Sequence, residues 1–220
     1  MNTILHVLYH DESIRSKSPK DKILRSKAVY NFCQNQLALL SQQPPEQLQL
    51  QRSVQGKPFF QSPKALDWNF SISHCHAFSL CVIARDPVSI DAELLRPLRH
   101  HRQLTRRILG RYENSNELLK WFDNHWDELE HREQQRFFFR LWTLSECVSK
   151  LHGFGLWYGF QQLTCAITLD PNILLKEASH RIIAQYPLQF LKLSPDTITC
   201  MLGLQTPPDD IYHTNLKGQG

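Results

Sequence analysis

The stretch AFSLCVIARDPVSIDAE, residues 77–93, decides how the rest of the chain reads. Two apolar arms carry β-branched and aromatic residues, and Arg85-Asp86-Pro87 between them is a turn signal, so the segment is expected to form a β-hairpin. Its second arm ends on two acids one residue apart, Asp91 and Glu93. Alternate residues of a strand leave on one face, which sets the two negative charges side by side. Such repulsion needs an offset: a divalent cation, a basic side chain, or water at a strand end.

Towards the N-terminus, FSISHC (70–75) continues the β pattern and TILHVLYH (3–10) opens it. Between them a helix is expected from about Asp21 to Leu40, with Ile23, Ala28, Leu37 and Leu40 among its apolar positions. The polar, proline-marked run at 41–58 reads as a loop with one short strand around Leu48 to Leu50. Towards the C-terminus the pattern is helical from about Arg96 to Leu151, with a long helix from about Arg132 that stops at the glycines of HGFG (152–155). LTCAITL (163–169), HRIIAQYPLQFLKLS (180–194) and TITCMLGLQ (197–205) read as strands again. The reading is an α+β fold with an N-terminal half at 1–95, a C-terminal half at 96–206 and a flexible tail at 207–220.

At 220 residues the chain can bury a core as one domain or as two small halves packed together. Hydrophobic residues make up 41% and charged residues 21%, which excludes a disordered chain. No stretch approaches the roughly 18 apolar residues of a membrane span, and the N-terminus lacks the basic start and cleavage site of a secretory signal. The six cysteines are scattered without a C-x-x-C pair, so they are expected as buried reduced thiols in a cytosolic protein. His74 and His76 in HCH (74–76) have no further soft ligands nearby in sequence, which counts against zinc. A net charge of +4 suits nucleic acid, a phosphorylated ligand or an acidic protein, and its size does not choose among them.

In LWTLSECVSK (141–150), Trp142, Glu146 and Lys150 are spaced four and four, so on a helix a carboxylate and an ammonium share a face. Alone, that is an ordinary surface pair. The company it keeps is more specific. GKP (56–58), FSISHC (70–75), SIDAE (89–93) and FFRLWTLSECVSKLHGFG (138–155) stand in order and at spacings that resemble the Sfp-type 4′-phosphopantetheinyl transferases. That family's pattern is G-K-P, then F-(N/S)-(I/L)-S-H-(S/C), then G-(I/V)-D-(I/V)-E, then F-(F/Y)-x-x-W-(T/S)-x-K-E-(A/S)-x-x-K.

The resemblance implies a phosphopantetheinyl transferase fold of two similar α/β halves related by a pseudo-twofold, with coenzyme A and Mg²⁺ in the cleft between them. It implies an enzyme that moves phosphopantetheine from coenzyme A to a serine of an acidic apo carrier protein and releases 3′,5′-ADP. By the same resemblance Asp91, Glu93 and Glu146 hold the Mg²⁺, Glu146 accepts the serine proton, and Lys150 stabilises the leaving group. Lys57 and His74 match positions that contact the coenzyme phosphates, with Ser73 beside them. Lys27 and Asn31 stand where the family has arginines near the adenosine end. The expected protein is a cytoplasmic monomer that binds neither nucleic acid nor membrane.

Ser145 replaces the family's lysine before the glutamate, Ser89 replaces a glycine, and Ala92 a branched residue. Because Ser145 lies about 100° around the helix from the Glu146 stripe, it is expected to tune efficiency or carrier choice, and Ser145→Lys to improve a Michaelis constant modestly. The run Arg96, Arg99, Arg102, Arg106, Arg107, Arg111 reads either as a solvated helix face or as a surface that docks an acidic carrier. Two rivals remain: a non-catalytic carrier-binding relative, and a metal-dependent nuclease. The nuclease is the weaker, since nuclease E-x-K sites set glutamate and lysine two apart on a strand.

Overall fold

A computed structural model describes residues 3–10, 18–62, 67–75, 78–153, 164–167, 173–176, 188–191, 193, 197–202 and 210–216. The fold is mixed α+β, and the chain divides into two compact units, one of residues 1–90 with 206–220 and one of residues 91–205.

In the first unit, β5 (Phe78–Ala84) is central. Leu80 to Ala84 are all buried, a continuous apolar run of the kind a strand with neighbours on both edges requires. It pairs antiparallel with β1 (Thr3–His10) on one edge and with β4 (Asn69–His74) on the other. Beyond β1, the strand β11 (Asp210–Leu216) runs parallel to it, Ile4 opposite Asp210 and His10 opposite Leu216. Over residues 210–216 this corrects the expected flexible tail at 207–220. A hairpin of β2 (Gln49–Arg52) and β3 (Pro58–Gln61) turns at Gly56, whose φ of 86° lies in the left-handed region that glycine tolerates.

Helix α1 (Pro19–Ser41) starts where the Ser18 hydroxyl accepts the Asp21 N–H, with Pro19 at the first helical position. Val29, Cys33 and Leu37, four apart, are buried in a cluster with Leu8, Phe70, Cys81 and Ile83. On the same sheet face as Cys81, its partner across the ladder, stands His6. The imidazole lies edge-on to Phe32 at 4.9 Å and stacked on Tyr212 at 5.3 Å, with both ring nitrogens buried and given no hydrogen-bond partner. Burial lowers its pKa below the usual 6.5. As pH falls, the unfolded chain takes up this proton first. The contribution of a neutral His6 to stability is therefore complete above about pH 6.5 and lost as pH falls through the lowered value. Urea unfolding from about pH 7 to about pH 5 should show this acid limb, and His6→Phe should flatten it. Equal slopes in the two proteins would refute the assignment.

The second unit holds the sheet β6-β10-β9, made of β6 (Ser89–Leu94), β10 (Thr197–Leu202) and β9 (Leu188–Leu191), and the hairpin β7 (Thr164–Ile167) with β8 (Ile173–Lys176). The hairpin expected across Arg85-Asp86-Pro87 does not form. Both edges of β5 are occupied by β1 and β4, so the chain turns at 85–87 and leaves for another sheet. Helices α2 (His101–Leu109), α3 (Ser115–His125) and α4 (His131–His152) follow. Glu133 begins α4 by accepting the Glu130 N–H, and Gly153, at φ 74°, closes it by donating to the Ser149 carbonyl. Phe137, Phe139, Leu141, Leu144, Cys147 and Val148 give α4 a broad buried face, packed with Ile108, Leu118, Phe122 and Trp126. Among the described residues, Cys33, Cys75, Cys81 and Cys147 are buried and form no disulfide, and no helix is long and apolar enough to cross a membrane. His76 and residues 180–187 of the expected strand at 180–194 lie outside the described residues.

Candidate active site

The period of β6 and that of α4 assemble one charged cluster in the second unit. Asp91 and Glu93, two apart, leave the same face of the strand, and Glu146 and Lys150, four apart, the same side of the helix. The Lys150 ammonium donates to Asp91 Oδ1 at 2.7 Å, with Asp91 nearly enclosed and Lys150 partly so. Burial works to lower the pKa of Lys150, and the charge and hydrogen bond of Asp91 outweigh it, so the net shift is upward and the ammonium is held charged. The Glu146 carboxyl also has its pKa raised, which for an acid disfavours the charged form. Burial raises its pKa, Asp91 raises it further, Lys150 pulls it down and Glu93 adds a smaller upward push.

The repulsion between the strand acids thus has an offset within the chain. Lys150 covers Asp91, and the Arg96 guanidinium donates to Glu93 Oε2 at 2.8 Å and to the Leu94 carbonyl at 3.1 Å, lying 5.0 Å over the Phe139 ring. The part played by Arg96 was hidden in sequence by its place at the head of an arginine run, although it stands three residues after Glu93. Trp142, on the same stripe of α4 as Glu146, stacks on Phe138 at 6.1 Å and is partly buried.

In the first unit, His74 is exposed at the end of β4, its Nδ1 2.7 Å from the hydroxyl of buried Ser79. Ser73 is buried and, as the neighbouring strand residue, points to the opposite face. Ser79, which steadies His74, was not singled out from sequence. Lys57 lines a depression of about 220 Å³ with Pro58, Phe60, Trp68, Phe70 and Val88, and burial lowers its pKa. An anion nearby would offset that. Lys27 lines a different groove, of about 520 Å³, with Lys22, Ile23, Tyr30, Leu50 and Arg52. Lys57 and Lys27, both expected on the coenzyme, therefore open on separate depressions.

The arginine run is partly neutralised by the chain itself: Arg102 pairs with Asp127 and Arg106 with Asp123, and Arg96 with Glu93.

The family model described as the 4′-phosphopantetheinyl transferase superfamily matches residues 87–198, more than half of the chain and a span that contains Asp91, Glu93, Glu146 and Lys150. The chain belongs to that superfamily. It is similar to the 4′-phosphopantetheinyl transferase psf-1 of Bacillus pumilus, 26% identical over 137 residues, or 62% of this chain and 53% of that protein. It is similar also to the 4′-phosphopantetheinyl transferase Sfp of Bacillus subtilis, 31% identical over 101 residues, or 46% and 39% of the two chains. A third relative, the 4′-phosphopantetheinyl transferase gsp of Aneurinibacillus migulanus, is 28% identical over 114 residues, or 52% and 42%. The matched part thus spans about half or less of the length of these curated relatives.

Among the superfamily's motif positions, Ser145 departs most from its sequence reading. It is 1% exposed and its hydroxyl donates to the Leu141 carbonyl at 2.6 Å, so it belongs to the buried side of α4. A lysine there must either bury its ammonium or force its stem outward through packed neighbours. Ser145→Lys is accordingly expected to destabilise the fold by about 1–3 kcal/mol, read as a lower unfolding midpoint. An unchanged midpoint, with an improved Michaelis constant, would return the position to the role its sequence suggested.

For the Mg²⁺ that the superfamily implies, the donor chemistry fits. Asp91 and Glu93 both act electrostatically on the Glu146 carboxyl, and hard cations take oxygen ligands. Their present arrangement is a different matter: among the described residues no three of His, Cys, Asp and Glu gather closely enough to hold one ion. Asp91 and Glu93 are turned instead to Lys150 and Arg96.

Proposed function

We propose that the chain transfers the 4′-phosphopantetheine group of coenzyme A to a serine hydroxyl of an acidic apo carrier protein. The observation that carries this reading is the cluster of Asp91, Glu93, Glu146 and Lys150 on β6 and α4, within the stretch that matches the superfamily. In the reaction, the serine oxygen forms a bond to the phosphorus that bears the pantetheine arm. The bond from that phosphorus to 3′,5′-ADP breaks, and the serine proton goes to a base. Glu146 suits the base by its place beside Asp91 and Lys150 in the cluster, taking the proton directly or through a water. Lys150, kept charged by Asp91, suits the stabilisation of the phosphate that departs. Asp91, Glu93 and Glu146 would hold Mg²⁺, which supplies charge neutralisation for the pyrophosphate. Lys57 and His74 are assigned to the coenzyme phosphates, with Ser73 and Lys27 as further contacts. The proposal includes two similar halves related by a pseudo-twofold, and a monomer working in the cytosol.

Mass spectrometry of an apo acyl carrier protein, incubated with coenzyme A, Mg²⁺ and the full chain, tests the reading. The expected result is a carrier heavier by one phosphopantetheine group, with 3′,5′-ADP released. Carrier binding without that mass gain would favour the non-catalytic relative. Cleavage of DNA by the same preparation would favour the nuclease, which is already disfavoured because Glu146 and Lys150 stand on a helix.

A further inference from the structure

Resting on the metal-binding part of that reading, we propose that Arg96 is a built-in competitor for Glu93, so that a divalent cation gains this carboxylate only by displacing the guanidinium. Two oxygens and one ring fix the guanidinium where it competes. It donates to Glu93 Oε2 at 2.8 Å and to the Leu94 carbonyl at 3.1 Å, and it lies 5.0 Å over Phe139 on α4. The Leu94 carbonyl and the Phe139 ring cannot leave with an incoming ion, since one is backbone and the other belongs to the buried core. They keep the guanidinium close by once the pair with Glu93 opens, ready to close it again. The geometry is suited to exchange, because the Arg96 side chain is 52% exposed and that of Glu93 23% exposed, so water can take over either group when the pair opens. The other strand acid differs. Asp91 is 7% exposed and its partner Lys150 29% exposed, which makes that pair the costlier one to open.

Two cations of the chain thus guard the two strand acids unequally, and Arg96 holds the weaker lock. Its effect is to lower affinity for the bare ion, so that the site fills when an anionic substrate arrives with the metal and supplies further oxygen ligands. Loss of Arg96 should therefore tighten binding of the metal alone.

The test is the binding of Mn²⁺ to the full chain without coenzyme A, followed by electron paramagnetic resonance of the free ion. Arg96→Gln is expected to bind Mn²⁺ roughly fivefold more tightly, the effect of removing one ion pair of modest strength. Arg96→Lys, which keeps the charge, should stay close to wild type. Arg102→Gln, which removes an equal charge from a pair with Asp127, should be unchanged. Unchanged or weaker binding by Arg96→Gln overturns the proposal, and so does an equal gain in Arg102→Gln, which would reduce it to net charge. Binding by no variant removes the metal from the proposed function and this inference with it. Equal binding by all leaves that function standing and removes only the role of Arg96.

Discussion

Asp91→Asn should abolish phosphopantetheine transfer and unsettle the second unit at the same time. The substitution keeps shape and removes charge, so it takes one anionic oxygen ligand from the proposed metal site and the counterion from Lys150. Loss of a preorganised charge of this kind reduces turnover by about 10³-fold or more. Stability falls as well, because an ammonium whose raised pKa depends on Asp91 is left without it. With Lys150 in partial contact with water, that loss is discounted to about 1–3 kcal/mol. Mass-spectrometric turnover and urea unfolding measure the two effects. Transfer at near wild-type rate would remove Asp91 from the site.

Glu146→Gln is expected to separate the two effects that Asp91→Asn combines. Turnover should fall by about 10²–10⁴-fold, since an amide cannot accept the serine proton. Unfolding should move the other way. Burial and the charge of Asp91 make the ionised Glu146 costly, so its pKa is raised, and the folded state binds more protons than the unfolded state above the usual value of 4.5. Stability is complete below that value and is lost as pH rises through the raised one. Near neutral pH the metal-free Gln variant should therefore be more stable than wild type, by about 0.5–1 kcal/mol, and the advantage should vanish at about pH 4. A destabilised variant at neutral pH would show that the carboxylate is held by contacts stronger than the repulsion it meets.

Much of the fold was legible because period and capping are local. The bounds of α1 and α4 fall within two residues of those read from Asp21 to Leu40 and from Arg132 to Leu151, where a serine cap and a glycine stop mark the ends. Strand pairing is not local. The turn at Arg85-Asp86-Pro87 is present, yet which edge each arm would meet depended on β1 and β4, far away in sequence. The short alternating run at 210–216 was read as tail because its outer residues, Ile211, Tyr212 and His213, stay exposed even when paired, so little burial advertises it. In the site, the grouping of Glu146 with Lys150 followed from helical spacing, and that of Asp91 with Glu93 from the strand. What covers each acid did not follow. The burial of Ser145 had a readable signal, since Leu141 and Val148 flank it at four before and three after, on the apolar side of the helix.

The parallel pairing of β1 with β11 bears on how the molecule is made. Ile4 meets Asp210 only after roughly 200 further residues, and closing a loop of that length costs about 5 kcal/mol in chain entropy. On a ribosome β1 emerges well before β11, the strand that completes its edge of the sheet. All of the second unit lies between them in the sequence. That unit can fold while the first still waits with one backbone edge of β1 bare, a template for pairing with another nascent chain. Slowing translation before residue 210 should therefore lengthen the interval of aggregation risk, and chaperone dependence should track the time to β11 rather than the time to the first core.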